Sequence, residues 1–229
     1  MQAIMVHQNK SNGFTLIEIA IVLVVIGLLL GGVLKGQELI GNTKVKAYAA
    51  DFRNIPVALY GYQDRLKALP GDDPNVVSHL AGATKAQMPV SSQGNGVIDG
   101  PWDTTDSTNE SCLFWQHVRL AGLAPGPTTV DCTSANSTYV PRNTNGGRIG
   151  IQSNKGLVTI TGQIPGTYVV CSNNIPGEFV SRLDALLDDG DPQTGAVRAI
   201  LQSAAPGPPS SSTVVSDNPA NVFTVCMGI

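Results

Sequence analysis

Residues 13–35 read GFTLIEIAIVLVVIGLLLGGVLK, and the fold class turns on this stretch. From Phe14 the chain runs apolar to Leu34, with Glu18 as the only charge. At 1.5 Å per residue, residues 14–34 make a helix about 30 Å long, enough to cross the hydrocarbon core of a bilayer. A carboxylate in such a helix is costly and is normally retained for a partner. A cleaved secretory signal does not fit, because the apolar run is too long and no small-residue cleavage site closes it. An ordinary membrane anchor with a snorkelling Glu18 is the plain alternative.

The same helix extends past the apolar run. Val45, Tyr48, Phe52, Ile55, Leu59, Tyr62 and Leu66 recur at steps of three or four, the stripe of an amphipathic helix. Lys44, Lys46, Asp51, Arg53, Asp64 and Lys67 fall between them as a solvated face. Such a stripe needs something to pack on, which the downstream chain can supply. Pro56 lacks an N–H and predicts a kink or restart, and Pro70-Gly71 predicts the stop. Gly27/Gly31 and Gly32/Gly36 weaken the helix, and their GxxxG spacing also lets backbones approach closely in a membrane.

The order of features at the start is specific: a polar leader with Lys10, then Gly13, Phe14, three residues, Glu18 and the apolar run. It resembles the class III signal of type IV pilins and their pseudopilin relatives. The resemblance covers residues 13–35 closely and the rest only loosely. It implies a leader, residues 1–13, removed by a membrane prepilin peptidase between Gly13 and Phe14, with Phe14 then N-methylated. Glu18 becomes the fifth mature residue, the family's assembly carboxylate. Many type IV pilins carry proline where this chain has Lys35.

The expected fold is α+β and pilin-like: a helix over residues 14–68, membrane-spanning over 14–34, packed on a small antiparallel sheet within a body of residues 69–229. The implied function is a structural subunit of a type IV pilus, major or minor, with a pseudopilin of a type II secretion system as the alternative. A membrane-tethered protein that never polymerises is the third reading. The implied partners are copies of itself, the peptidase, the inner-membrane assembly platform and the membrane. The implied location is the bacterial inner membrane for the single-pass precursor, then an extracellular filament or a periplasmic pseudopilus.

Physics fits this role. Cleavage exposes an α-amino group at the end of an apolar helix, and a buried ammonium and a buried carboxylate each lack a partner unless they meet. Only one axial stagger brings the Phe14 amine of one subunit to Glu18 of another, so the pair sets register.

Composition narrows the body. The 229 residues carry a net charge of −3 and a pI near 5.5, which marks no basic surface for nucleic acid. Charged residues make only 14 %, while Gly (25) and Pro (15) are plentiful, as a loop-rich, neutral surface requires. Cys112, Cys132, Cys171 and Cys226 form no CxxC pair, which argues against zinc. In an exported body they read as two disulfides. Of the three connectivities, Cys112–Cys132 and Cys171–Cys226 are favoured by nearness in sequence, and free thiols are the other reading.

Along the body, residues 69–100 hold turn signals: PGDDP, GNG and IDG. Residues 108–123 read as a second helix, capped by Thr108 or Asn109, with Phe114, Val118 and Ala121 on one face and Gly122 as the stop. His117 beside that face reads as a packed or exposed histidine rather than a ligand. Residues 124–147 are loop. RIGIQ, GLVTITGQI and TYVVC, spanning 148–171, have strand character, with 153–156 as a turn. Residues 178–187 read as a helix with Phe179, Leu183, Leu186 and Leu187 inward. An acidic turn, Asp188 to Pro192, leads into the strand AVRAI, and NVFTVCM is the last strand. This helix–DDG–strand unit resembles one in the bodies of large prepilin-type proteins. Residues 204–212 are low-complexity loop.

No HExxH, P-loop, GxSxG or dinucleotide fingerprint is present, so the expectation is no enzyme and no cofactor. Calcium is the ligand left open, at Asp72, Asp73, Asp99 and Asp103 or in the turn of Asp188, Asp189 and Asp191, although neither has EF-hand spacing.

Overall fold

The computed structural model describes residues 15–88, 93–134, 137–154, 164–202 and 221–229. The elements are α1 (Leu16–Leu66), α2 (Val76–His79), α3 (Glu110–Leu120), β1 (Ile149–Ser153), β2 (Tyr168–Pro176), α4 (Gly177–Leu187), β3 (Val197–Leu201) and β4 (Val222–Gly228). The fold is α+β and pilin-like: a long helix with an apolar first part, and a small antiparallel sheet. The chain divides into two compact units, Met1–Thr43 and Lys44–Ile229.

In the first unit the large apolar side chains from Leu16 to Ile40 are exposed, Leu16 at 87 % and Leu39 at 68 %. The helix is unbroken through Lys35 and Gly36.

In the second unit α1 changes character. Val45, Tyr48, Phe52, Ile55, Leu59 and Tyr62, the residues of the sequence stripe, are buried, with Ala49 and Ala58 filling the same face. Leu66 is only partly buried. Tyr48 meets the Phe179 ring of α4 at 6.2 Å, and Tyr62 stacks on His117 of α3 at 6.3 Å. Arg53 Nη2 donates to the Leu186 carbonyl, and Arg65 Nη1 to that of Ala121.

Pro56 lies inside α1, which runs on past it, so the helix does not restart there, one of the two outcomes the sequence pointed to. Its ring costs the Phe52 carbonyl a helical partner. Burial of Phe52, Ile55, Leu59 and Tyr62 on both sides of it outweighs that loss. The helix stops before Pro70. Lys67 takes a left-handed conformation (φ 54°) with its N–H on the Gln63 carbonyl, a C-terminal cap without glycine. The short α2 was not expected within the loop.

α3 is buried on every side from Glu110 to Arg119, more than its one apolar face indicated. Asn109 is its N-cap residue, without a side-chain capping bond. Gly122 ends it at φ 72°, with its N–H on Arg119 O and that of Leu123 on Val118 O, the paired bonds of a Schellman motif.

The sheet order is β1-β2-β4-β3, antiparallel at every pair. Alternation along β2 sends Val170 into the main core and Val169 and Cys171 to a smaller cluster with Ile164 and Cys226. A bulge between Ser172 and Ile175 places Asn174 at φ 56°, a conformation that asparagine tolerates. The expected strand GLVTITGQI and the loop 204–212 lie outside the described residues, except Ile164, which is in no strand. In α4 the buried arc is Phe179, Val180, Leu183 and Asp184. Leu186, expected inward, sits at its rim and is 42 % exposed, and Leu187 is half-buried.

Cys112 is bonded to Cys132, tying α3 to the long loop, and Cys171 to Cys226, its direct partner across β2 and β4. They close loops of sequence separation 20 and 55. Replacing Cys112 and Cys132 by serine is expected to lower unfolding stability by about 3 kcal/mol, and replacing Cys171 and Cys226 by about 4 kcal/mol. Urea unfolding of each pair variant against the parent chain measures both.

Candidate assembly segment and acidic sites

α1 begins with the quartet Thr15-Leu16-Ile17-Glu18, and its geometry is a capping box. The Thr15 N–H and hydroxyl both donate to Glu18 Oε2, at 2.9 and 2.8 Å, and the Glu18 N–H points back at Thr15 Oγ1 at 3.3 Å. The T-x-x-E spacing of Thr15 and Glu18 is the sequence signal of this box. Glu18 therefore closes the first turn of its own helix, and Oε1 meets no donor among the described residues. Gly13 and Phe14 lie outside the described residues.

α1 is long and apolar enough to cross a membrane by length and composition. Beyond chain neighbours and the helix's own backbone, no atom among the described residues lies within 4 Å of where a Cβ would stand at Gly27, Gly31, Gly32 or Gly36. Contacts among the described residues thus give no reason for glycine at these four positions.

Of the acidic residues named from sequence, Asp72 and Asp73 are buried and engaged by the chain's own donors. Asp72 accepts the N–H groups of Gly94, Asn95 and Gly96. Asp73 accepts the Tyr62 hydroxyl at 2.9 Å and the Asn75 N–H at 2.9 Å, and pairs with His79 Nδ1 at 2.6 Å. Both line a cleft of about 650 Å³ with Gln63, Lys67, His79 and Tyr168. His117 is fully buried: its Nδ1 accepts the Gly71 N–H and its Nε2 faces the Thr84 carbonyl at 2.9 Å, as a packed histidine should.

Among the described residues, a group of three acids able to share a cation is Asp184, Asp188 and Asp189, with one oxygen from each within 4.8 Å of the others. Asp191 is not in it; its Oδ1 accepts the Gln193 N–H. Asp184 was missed in the sequence. The signal was its spacing, i and i+4 to Asp188, in a helix whose last turn runs into the acidic turn. Burial pushes the Asp184 carboxyl up to about 6, and the charges of Asp189 and Asp188 add to the rise.

Among the described residues, Glu110 is also a fully buried acid. Burial pushes it up to about 8, with the negative charges of Asp72 and Asp99 adding to the shift, while the Asp99 N–H on Oε2 opposes it. Its folded-state pKa lies above its unfolded one. The stability it contributes is therefore full below about pH 4.5 and lost as pH rises towards 8. Unfolding stability is expected to fall between pH 5 and 8 by up to about 1.4 kcal/mol per unit. Glu110→Gln, which keeps the neutral shape, is expected to flatten that slope in urea titrations across the range.

With this geometry in hand, one comparison with known proteins is positive. Residues 8–34 match the family described as prokaryotic N-terminal methylation motif. The chain carries the class III signal of type IV pilins and pseudopilins, and is pilin-like in that segment. No curated protein and no solved structure matches the chain.

Proposed function

We propose that this chain is a structural subunit of a type IV pilus, major or minor, held in the inner membrane by α1 and then moved into a surface filament. The observation that carries the reading is the exposed apolar surface of α1 from Leu16 to Ile40, headed by Glu18 and matched over residues 8–34 by the methylation motif. Such a surface is stable in lipid or against copies of itself, at roughly 25 cal/mol per Å² removed from water.

A prepilin peptidase cuts between Gly13 and Phe14 and methylates the new terminus. The freed ammonium of one subunit then meets the Glu18 carboxylate of its neighbour. The capping box holds that carboxylate at the helix end through Oε2, which leaves Oε1 for the incoming donor. The glycines at 27, 31, 32 and 36 let neighbouring helices close. The function is assembly, not catalysis. The same motif serves pseudopilins of type II secretion, and that is the second reading. Two disulfides fit a body exported past the inner membrane, as both readings require, and the long loops lean toward a surface filament.

Glu18→Ala is expected to leave insertion and leader removal intact but to cut filament incorporation by roughly a hundredfold, the scale set by removing one member of a buried ion pair. Sheared-filament immunoblots measure it, and normal incorporation would contradict the mechanism. Labelling of surface filaments in the native host by electron microscopy separates pilus from pseudopilus. Gly31→Leu is expected to leave the monomer folded and to impair assembly. Gly13 replaced by a bulky residue is expected to leave a precursor-size band.

A further inference from the structure

We infer that Asn95-Gly96 is a self-modification site, at which the folded chain converts Asn95 to aspartate or isoaspartate through a cyclic imide. Two Asn-Gly steps lie among the described residues, Asn95-Gly96 and Asn145-Gly146. In sequence they are alike, since glycine has no Cβ to hinder attack by its nitrogen on the asparagine side chain. The fold sets them apart.

At Asn95 each reacting atom has the partner the reaction uses. The Gly96 N–H, on the attacking nitrogen, donates to Asp72 Oδ2 at 2.8 Å. Asn95 Oδ1, where negative charge develops, accepts the Val97 N–H at 2.7 Å, an oxyanion donor already in place. Asn95 Nδ2, the leaving nitrogen, donates to Asp99 Oδ2 at 3.3 Å. These partners fix which end of the amide is which, because a backbone N–H only donates and a carboxylate only accepts. The Val97 bond folds the Asn95 side chain back along its own backbone, the conformation from which a ring closes. Asn95 is exposed to water. Beyond its chain neighbours, no described residue comes within 4 Å of where a Cβ of Gly96 would stand, so the flank is open. Burial pushes the Asp72 carboxyl up and the Asp99 charge adds to the rise, against its three N–H bonds, which makes it a better base than an exposed aspartate.

Asn145 has none of this arrangement. The Gly146 N–H donates to the Asn143 carbonyl at 2.9 Å, which is no base. Asn145 Nδ2 donates to the Asn174 carbonyl at 3.0 Å, and Asn174 Nδ2 to the Asn145 carbonyl at 2.7 Å, so the residue is pinned from both sides.

The steps balance without an oxidant or reductant. The Gly96 nitrogen gives its proton to Asp72 and bonds to Asn95 Cγ, and the electron pair moves onto Oδ1 against the Val97 N–H. Collapse re-forms the carbonyl and breaks the Cγ–Nδ2 bond. The leaving nitrogen takes a proton by way of solvent and departs as ammonia. Water then opens the imide. Breaking the bond from nitrogen to Cγ gives aspartate, and breaking the bond from nitrogen to the main-chain carbonyl carbon gives isoaspartate. The net change is an amide and water to a carboxylic acid and ammonia. The product adds a negative charge beside Asp72 and Asp99, so the chain records its age as charge.

The test incubates the full chain in detergent micelles, folded or unfolded in urea, in heavy-oxygen water, and follows both asparagines by peptide mass spectrometry. Folded Asn95 is expected to react at least about tenfold faster than unfolded Asn95, a small share of the roughly 10²–10⁴-fold a positioned base supplies. Asn145 is expected to react more slowly folded than unfolded. Each converted Asn95 is expected to carry one heavy oxygen. Asp72→Asn, checked for folding by its melting curve, is expected to bring folded Asn95 down to the Asn145 rate. An Asn95 that reacts no faster folded than unfolded would overturn the site, a comparison that needs no variant. An undiminished Asn95 rate in folded Asp72→Asn would overturn the base. None of these outcomes bears on the filament reading.

Discussion

An apolar helix surface that its own chain does not cover must be kept from water by something else. From Leu16 to Ile40 the large apolar side chains of α1 are exposed, and Glu18 is the acid in its first turn. Lipid can cover such a surface, and so can other helices of the same kind. The hydrocarbon of lipid offers the carboxylate no donor, which is why a donor from a neighbouring chain is proposed.

The helix changes composition partway along. Its first unit presents apolar residues on all sides, as a helix surrounded by apolar groups does. From Val45 a single stripe takes over, and the other faces carry Lys46, Arg53 and Asp64. The body that receives this stripe is small and loop-rich, and two disulfides supplement its core. One joins a helix to a long loop, and the other locks the two central strands. A subunit that experiences pulling forces in a filament gains from such ties, because unfolding must then break covalent bonds or proceed around them.

Much of this was legible in the sequence. The apolar run, the stripe to Tyr62, the bounds of α3 and α4 to within a few residues, the start of the strand holding Cys171 (which runs on to Pro176) and the strand containing Cys226 all follow from periodicity and turn signals. What was not legible depends on tertiary context. Pro56 reads as a kink or restart by local rules, but α1 runs on past it with buried residues on both sides. Lys67 ends α1 in a left-handed turn, a conformation that favours glycine and is not announced by lysine. α3 shows one apolar face yet is buried all round, because His117, Gln116 and Arg119 find backbone partners that no pattern reveals. At the site, the sequence singled out Glu18 but not its bonds to Thr15, and the turn of Asp188 and Asp189 but not the buried Asp184 that completes the group.

The central claim is that α1 becomes functional only once a new chain start is released beside Glu18. Mass spectrometry of the polypeptide from native filaments measures that start directly. The account predicts a chain beginning at Phe14 with one added methyl group on its amine. A polymerised chain that still carries residues 1–13 would contradict it.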